Sequence, residues 1–530
     1  MSTALEAQLW ASADILRGKM DASEYKNYLL GLVFYKYLSD LELREAYEQE
    51  NGKTETYPDR EAQFEILNDW YEEDPEDLQK TMRLQLGYFI TPDQLFYSFR
   101  KKADGYNLQL TELQSGFNTL ESEGGQFQGL FADIDLKSNK LGSNDQQRNI
   151  TVIEVLRALD EIDLFSHDGD VIGDAYEYLI GQFAAGAGKK AGEFYTPQAV
   201  SRIISEITSI GQEERAPFHI YDPTMGSGSL MLNIRRYLTH PDKVTYHGQE
   251  LNTTTFNLAR MNLILHGVDH GRMNLKNGDT LDSDWPTEEP YQFDSVVMNP
   301  PYSANWSAAD KFLSDSRFER YGKLAPKSKA DFAFLLHGFY HLKDSGTMGI
   351  VLPHGVLFRG AAEGTIRKAL LEEGAIDAVI GLPANIFYGT SIPTTVIILK
   401  KNRSSRDVLF IDASNDFEKQ KNQNILTDDH IKKIVQTYQA RKDEDKYAHV
   451  ASFDEIKEND FNLNIPRYVD TFEEEAPIDL VQVNKELEQV NKDIKAQEAE
   501  LLAMIQEFAV TEDSKDIIAS MTQLLGGAHE

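Results

Sequence analysis

From residue 218 onward, short apolar runs alternate with amphipathic stretches of helical length, and no other feature of the chain restricts its fold so strongly. The runs at 218–221, 244–248, 293–298, 347–352, 376–380 and 395–400 read as strands, and 230–238, 254–265, 332–342 and 365–373 read as helices between them. A helical crossover returns the chain to the edge it left, so successive strands pair parallel and the helices cover both faces. The expectation is an α/β, doubly wound, Rossmann-like sheet.

The flanks read differently. Tyr25, Tyr28, Leu29, Leu32, Val33, Lys36 and Tyr37 keep the i, i+3, i+4 spacing of a helix face. Residues 1–150 are therefore expected to be an all-α N-terminal domain, with polar links at 51–60 and 137–147. The catalytic domain is expected over 151–470, and the Gly/Ala-rich run 181–190 reads as a flexible lead-in to it. In the last segment, 471–530, Leu480, Val483, Leu487, Val490, Ile494, Leu501, Met504 and Phe508 recur at three- and four-residue spacing. That pattern predicts a helical tail in need of an apolar partner, either the chain's own body or another subunit.

Composition excludes several classes. At 530 residues the chain is long enough for about three domains, and its 41% hydrophobic content argues against wholesale disorder. There are no cysteines, which removes disulfides, thiolate metal sites and Cys nucleophiles. The start lacks a secretory pattern, and no apolar run has the ~20 residues a membrane span needs, so the expected location is the cytoplasm. Net charge is the difficulty: 53 Lys+Arg against 86 Asp+Glu leaves −33. A stand-alone duplex binder draws much of its affinity from neutralising phosphates, so nucleic acid would need a contact face clear of acid, or a basic partner.

Two constellations carry chemistry. Asp222-Pro-Thr-Met-Gly226-Ser227-Gly228-Ser229-Leu follows one strand and opens a helix, and Glu250 closes the next strand. Glycines let the backbone approach a ligand, and an acid at that position suits ribose hydroxyls, the grammar of adenosine binding. The third glycine of a dinucleotide loop is missing, because position 231 is Met. Asp222 could equally cap the following helix. The second constellation, Asn299-Pro300-Pro301-Tyr302, ends the apolar run 293–298. Paired prolines stiffen the turn, an Asn oxygen and a backbone carbonyl make two acceptors for an amino group, and the aromatic ring can stack on a planar base. Either motif alone is an ordinary turn; together and in this order they point to transfer onto an amine.

Asn299-Pro-Pro-Tyr with Asp222-Pro-x-x-Gly-Ser-Gly-x-Leu resembles the amino-group class of S-adenosylmethionine-dependent methyltransferases. Gly192-Glu193-Phe194-Tyr195-Thr196-Pro197, placed before the glycine loop, resembles the adenine-specific DNA methyltransferases. Residues 25–40 resemble the helical domain of the modification (M) subunit of type I restriction–modification systems. The resemblance implies that Glu193, Phe194, Tyr195, Thr196, Pro197 and Gln198 line the methionine end of S-adenosyl-L-methionine. Asp222, Gly226, Ser227, Gly228 and Ser229 contact its amino-acid part, Glu250 holds the ribose, and Asp279 accepts from the adenine amine. For Asp279 an ordinary Gly-Asp turn is the competing reading. Phe387, in Gly381-Leu-Pro-Ala-Asn-Ile-Phe387, would be a second stacking face on the target base, or simply a buried aromatic.

The implied reaction is methylation of the exocyclic amine of a flipped adenine in DNA, with Asn299, the Pro300 carbonyl and Tyr302 as the catalytic groups and no metal. The implied partners are DNA, a specificity subunit, a second copy of this chain and a restriction subunit with an ATP motor. On that reading the tail docks on the helical spacers of the specificity subunit, which also reads the DNA sequence.

Glutamine or RNA methylation and a silent scaffold are the alternatives. They lack, respectively, a reason for the Glu193–Pro197 element and for an unbroken acceptor set. His266 and His270 have metal-like spacing but flank a glycine and lack a nearby Glu base, so a helix-end turn is favoured. Gly188-Lys189-Lys190 mimics a phosphate loop without its first glycine or its Ser/Thr.

Overall fold

The computed structural model describes residues 4–54, 56–165, 171–186, 195–282, 284–288, 291–421, 423–470, 480–507 and 514–526. The chain divides into two compact units, Met1–Asp470 and Thr471–Glu530. The first holds a nine-stranded mixed sheet, in the order β11-β8-β6-β7-β5-β4-β1-β2-β3. The strands are β1 Phe218–Asp222, β2 Val244–Glu250, β3 Met273–Asn277, β4 Phe293–Met298, β5 Leu342–Pro353, β6 Ile376–Gly381, β7 Thr394–Lys400, β8 Val408–Asp412 and β11 Ala448–Ala451. A small separate ribbon pairs β9 Glu418–Lys419 with β10 Asn424–Ile425.

The central strands are buried at every position or nearly so, and successive side chains enter opposite faces, as a sheet covered on both sides requires. In β4, Val296 and Met298 join one apolar cluster and Val297 the other. The first cluster lies under the helices Asp331–Tyr340 and Ala361–Glu372, the second under Gln198–Ser209 and Asp428–Ala440.

β1 pairs parallel with β2 and β4, β2 with β3, and β4 with β5. β7 departs from the parallel pattern and runs antiparallel to both β5 and β6. The link 382–393 that feeds it carries no helix. Without a crossover element the chain turns back directly, which gives an antiparallel neighbour. The helix expected over 230–238 is shorter, Ser229–Leu232, and continues as a 3-10 turn, Asn233–Tyr237. There the Asn233 amide donates to the Ser229 carbonyl at 3.1 Å. The strands β8 and β11 and the helix Asp428–Ala440 were not anticipated, because their apolar runs are short and sit among charged residues.

In the N-terminal region the helix Ala22–Asn51 is buried on nearly every side between residues 28 and 40, beyond the single face its spacing indicates. It runs through the middle of the helical region, and its buried Lys36 pairs with Asp40 and lies 5.4 Å from the Phe96 ring centroid. The Gly/Ala run expected to be flexible is helical as far as the structure describes it. Gly181 to Gly186 end the helix Val171–Gly186, where Phe183 packs on Trp10 and Tyr25. Residues 187–194 lie outside the described residues.

The helical region meets the sheet through the helix Thr253–Leu265. Leu258, Met261 and Leu265 enter the N-terminal core, and Arg260 donates to the carbonyls of Gln126 and Gln128 at 2.5 and 2.9 Å. In the second unit, the helix Leu480–Gln506 leaves Leu480, Val483, Leu487, Val490, Ile494, Leu501 and Met504 exposed, as the tail pattern anticipated. Phe508 lies outside the described residues. A second helix, Lys515–Gly526, contacts the first.

Candidate active site

The carboxyl ends of β1, β2 and β4 point the same way, and the chain leaves β1 for β2 on one side and returns to β4 on the other. Open sheets bind ligands in the crevice that such a switch point creates. Tyr195, Thr196, Asp222, Met225, Gly226, Ser227 and Asn299 border one small cavity there. Three segments far apart in sequence therefore meet where the sequence reading expected them to.

The glycine loop is held by backbone geometry. Gly226 and Gly228 have φ of +54° and +79°, values that side chains resist. A Cβ on Gly228 would also stand 2.7 Å from Leu263 Cδ1, so a larger residue there would have to displace that side chain of the Thr253–Leu265 helix. Ser227 and Ser229 share a hydroxyl contact of 2.9 Å, and the Asn262 amide donates to the Ser227 carbonyl.

The acids differ in their surroundings. Asp222 is buried and accepts from the Thr224 amide at 2.9 Å, a local turn and not a cap, since Gly228 occupies the N-cap of the next helix. Burial, reinforced by Glu250, raises the Asp222 carboxyl to about 8. Glu250 accepts from the Gly226 amide at 3.1 Å and the Asn252 amide at 2.8 Å; its pKa is raised by burial against those bonds. Asp279 is exposed and accepts from the Leu281 amide at 2.9 Å. Its loop is tied to the glycine loop by Thr280, whose hydroxyl donates to the Pro223 carbonyl at 2.5 Å.

Glu193 and Phe194 lie outside the described residues. Beyond them, Tyr195 is buried, its ring centroid 6.0 Å from that of Tyr388, and Pro197 opens the helix Gln198–Ser209. The Gln198 amide is engaged at both ends, donating to Glu177 and accepting from Asn233 at 2.9 Å.

Asn299 is buried; its amide nitrogen donates to the Thr196 hydroxyl at 3.1 Å, and its oxygen accepts from the Tyr302 hydroxyl at 2.9 Å. Pro300 is buried beside it. Tyr302 is half-buried, its phenol pKa raised by burial, and it meets the buried Phe387 edge-on at 6.0 Å and 84°. The downstream loop thus reaches the Asn-Pro-Pro-Tyr loop, but as a T-shaped pair and not as two parallel faces.

Two residues that sequence reasoning missed complete the site. Glu177 is a buried acid in the helix Val171–Gly186, beneath Gln198, with its carboxyl pKa raised by burial. Asp331 is fully buried and accepts from the Ser303 amide at 2.8 Å and from Arg359 at 2.7 Å. It holds the residue after Tyr302, whose φ is +52°, in place. Asp331, the single acid of a largely apolar helix, carries a signal that could have revealed it; Glu177, three residues after Asp174 in its helix, does not. The two imidazoles with metal-like spacing do not converge: His266 ends its helix beside Glu177, 3.7 Å away, and His270 lies near Gly125. Gly188 to Lys190 are outside the described residues.

The family model "N-6 DNA Methylase" matches residues 167–476, and "HsdM N-terminal domain" matches 5–159. The type I restriction enzyme MpnII methylase subunit of Mycoplasma pneumoniae is 37% identical over 97% of this chain and 98% of its own length. The MjaVII methylase subunit of Methanocaldococcus jannaschii is 31% identical over 92% and 81%. Among solved structures, a type I restriction-modification methyltransferase subunit from Streptococcus thermophilus is 59% identical, with a TM-score of 0.86 over 88% of this chain and 99% of that one.

A carboxyl that keeps its proton on folding stabilises the protein at low pH, and that contribution is lost as pH rises from the ordinary carboxylate range through the folded pKa. For Asp222 the window runs from about 4, its value in the unfolded chain, to about 8. Asp222→Asn is expected to flatten the fall in melting temperature of the cofactor-free protein between pH 5 and 8. Parallel pH profiles for the two proteins would show that Asp222 is already ionised in the folded state.

Proposed function

This chain belongs to the N-6 DNA methylase family, and we propose that its crevice binds S-adenosylmethionine and presents an adenine amine to Asn299. Its activity is adenine-specific methylation of DNA, as the modification subunit of a type I restriction–modification system. The observation that carries the site assignment is the cavity joining Asn299 to the glycine loop and to Thr196.

The residues present suit the cofactor. Gly226 borders the cavity with no side chain to fill it, and Glu250 ends β2 and Asp279 follows β3, where a ribose and an adenine would lie. Tyr195, Thr196 and Ser227 border the methionine end. When bound, the cofactor supplies an electrophilic sulfonium methyl.

The protein's part is to hold the amine. An adenine N6 lone pair is conjugated into the ring and is a weak nucleophile. Accepting its hydrogens at Asn299 Oδ1 and the Pro300 carbonyl favours a pyramidal nitrogen and sets oxygen dipoles beside the developing positive charge. Tyr302 stacks on the base, Phe387 backs the Tyr302 ring edge-on, and in-line placement contributes much of the rate. A base in a duplex reaches this depth only after flipping out of the stack. Tyr302 donates to one lone pair of Asn299 Oδ1, and the second lone pair is the acceptor for the incoming amine.

Charge is distributed in keeping with a DNA substrate. Residues 322–330 contain Lys323, Lys327 and Lys329 and no acid, on a chain of net charge −33. Among the described residues none of these lysines has an ion-pair partner. Backbone bonds from Trp306 to the Lys327 carbonyl and from Ala330 to the Ala304 carbonyl, both 2.9 Å, run this segment along the chain just after Tyr302. The exposed apolar stripe on Leu480–Gln506 suits helical spacers of a specificity subunit, around which a second copy and a restriction subunit with an ATP motor would assemble.

Tritiated-methyl transfer to DNA, with and without the specificity partner, tests the reading. Adenine labelling is expected only with the partner, and Asn299→Ala should lower it by at least about 10²-fold; transfer to protein or RNA would overturn it. Changing Lys323, Lys327 and Lys329 to Gln should reduce the slope of log affinity for DNA against log salt by about two to three. An unchanged slope would place the phosphates elsewhere. Deleting residues 478–530 should abolish co-purification with the specificity subunit, and intact assembly would exclude the tail as the dock.

A further inference from the structure

Arg317 is a fully buried arginine, and its surroundings account for the expense of burying it. Its Nε and Nη2 donate to Asp315 at 2.9 and 2.7 Å. Its Nη1 donates to the Thr280 carbonyl at 3.0 Å, and its Nη2 reaches the Leu281 carbonyl at 3.4 Å. Those carbonyls belong to the two residues after Asp279, in the loop that joins β3 to β4.

The rest of the network has one direction. A guanidinium only donates, so His337 Nδ1, 3.1 Å from Arg317 Nη1, is an acceptor and the His337 proton is on Nε2. Burial, helped by His341 and Arg317, holds the His337 pKa well below its usual value, in keeping with a neutral ring. Nε2–H then donates to the Tyr221 hydroxyl at 2.9 Å, and that hydroxyl donates to the Trp285 carbonyl at 2.8 Å. His341 adds contacts to Asp284 at 2.9 Å and to the Tyr291 carbonyl at 2.5 Å. The loop is therefore gripped at residues 280, 281, 284, 285 and 291 by side chains from β1, from the helix Asp331–Tyr340 and its C-cap, and from the segment after the Asn-Pro-Pro-Tyr loop.

Asp284, His337 and His341 also bring three ligand atoms within 4.8 Å of one another, a spacing a divalent ion could use. Arg317 stands in that place, its Nη1 on His337 Nδ1 and its Nε 3.9 Å from Asp284. The cation this cluster is built around is the guanidinium.

We infer that Arg317, through His337 and Tyr221, is a positioning residue that fixes the 279–285 loop as the wall for the cofactor's adenine and thereby sets cofactor affinity. The inference rests on the reading that this loop meets the cofactor. Nothing in the network touches the reacting atoms, so affinity and turnover should separate.

The test uses the assembled enzyme carrying Tyr221→Phe, Arg317→Met or, as reference, Asp279→Ala. S-adenosylmethionine binding is measured by calorimetry, and methyl transfer is measured at varied cofactor. Tyr221→Phe removes one hydroxyl and keeps the ring, so it remains informative if Arg317→Met fails to fold. Both are expected to raise the cofactor Kd and KM about tenfold, while kcat at saturating cofactor and the KM for DNA stay within about twofold. Wild-type cofactor affinity in folded Tyr221→Phe would overturn the inference, as would a fall in kcat at unchanged KM. If Asp279→Ala alone weakens binding, the loop matters and the network does not. If Tyr221→Phe weakens binding and Asp279→Ala does not, the network stands and the role given to Asp279 falls.

Discussion

The pairing of β1 with a parallel neighbour on each side is the constraint on which the rest of this structure depends. It aims three strand ends at one edge and sends their loops apart, so Asp222, Glu250 and Asn299 arrive at one crevice from different parts of the chain. The register is unforgiving. A one-residue slip of β4 would move Val296 and Met298 to the face now filled by Val297 and turn Asn299 away from Thr196. Core packing and the placement of the acceptor amide are thus one requirement, met by the same six-residue strand.

Around that crevice the protein buries acids that an ordinary core would exclude. Asp331 is matched by a backbone amide and an arginine, and Glu177 by the Gln198 amide. Among the described residues Asp222 has only Thr224 as hydrogen-bond partner, and it keeps its proton to about 8. Burial raises the pKa of Glu177 and Glu250 as well. Buried polar groups of this kind constrain geometry closely, because each bond that fails leaves a desolvated partner.

What the sequence made legible was whatever is periodic or local. Apolar runs marked the strands through Lys400 apart from the mostly polar β3, and the three- and four-residue spacing after Leu480 marked a helix whose apolar face is exposed. The direction of β7 was not legible, because it is set by the absence of a crossover helix and not by the run Thr394–Lys400 itself. Glu177, Asp331 and Arg317 were equally hidden. Each is a charge whose meaning comes from burial against residues far along the chain, and a lone charge in a sequence reads as surface. Gln198 was expected to line the cofactor's methionine end, and its amide faces Glu177 and Asn233, a detail that only three-dimensional packing fixes.

The bond from the Tyr302 hydroxyl to Asn299 Oδ1 has a consequence for selectivity. The tyrosine hydroxyl takes one of the two lone pairs of that oxygen and, tethered three residues away, orients it without filling it. On the proposed reading, water or a small amine could use only the remaining lone pair. A planar base would offer two donors to Asn299 and the Pro300 carbonyl while its ring covers the tyrosine. The loop would then select ligands that combine an amino group with an aromatic face.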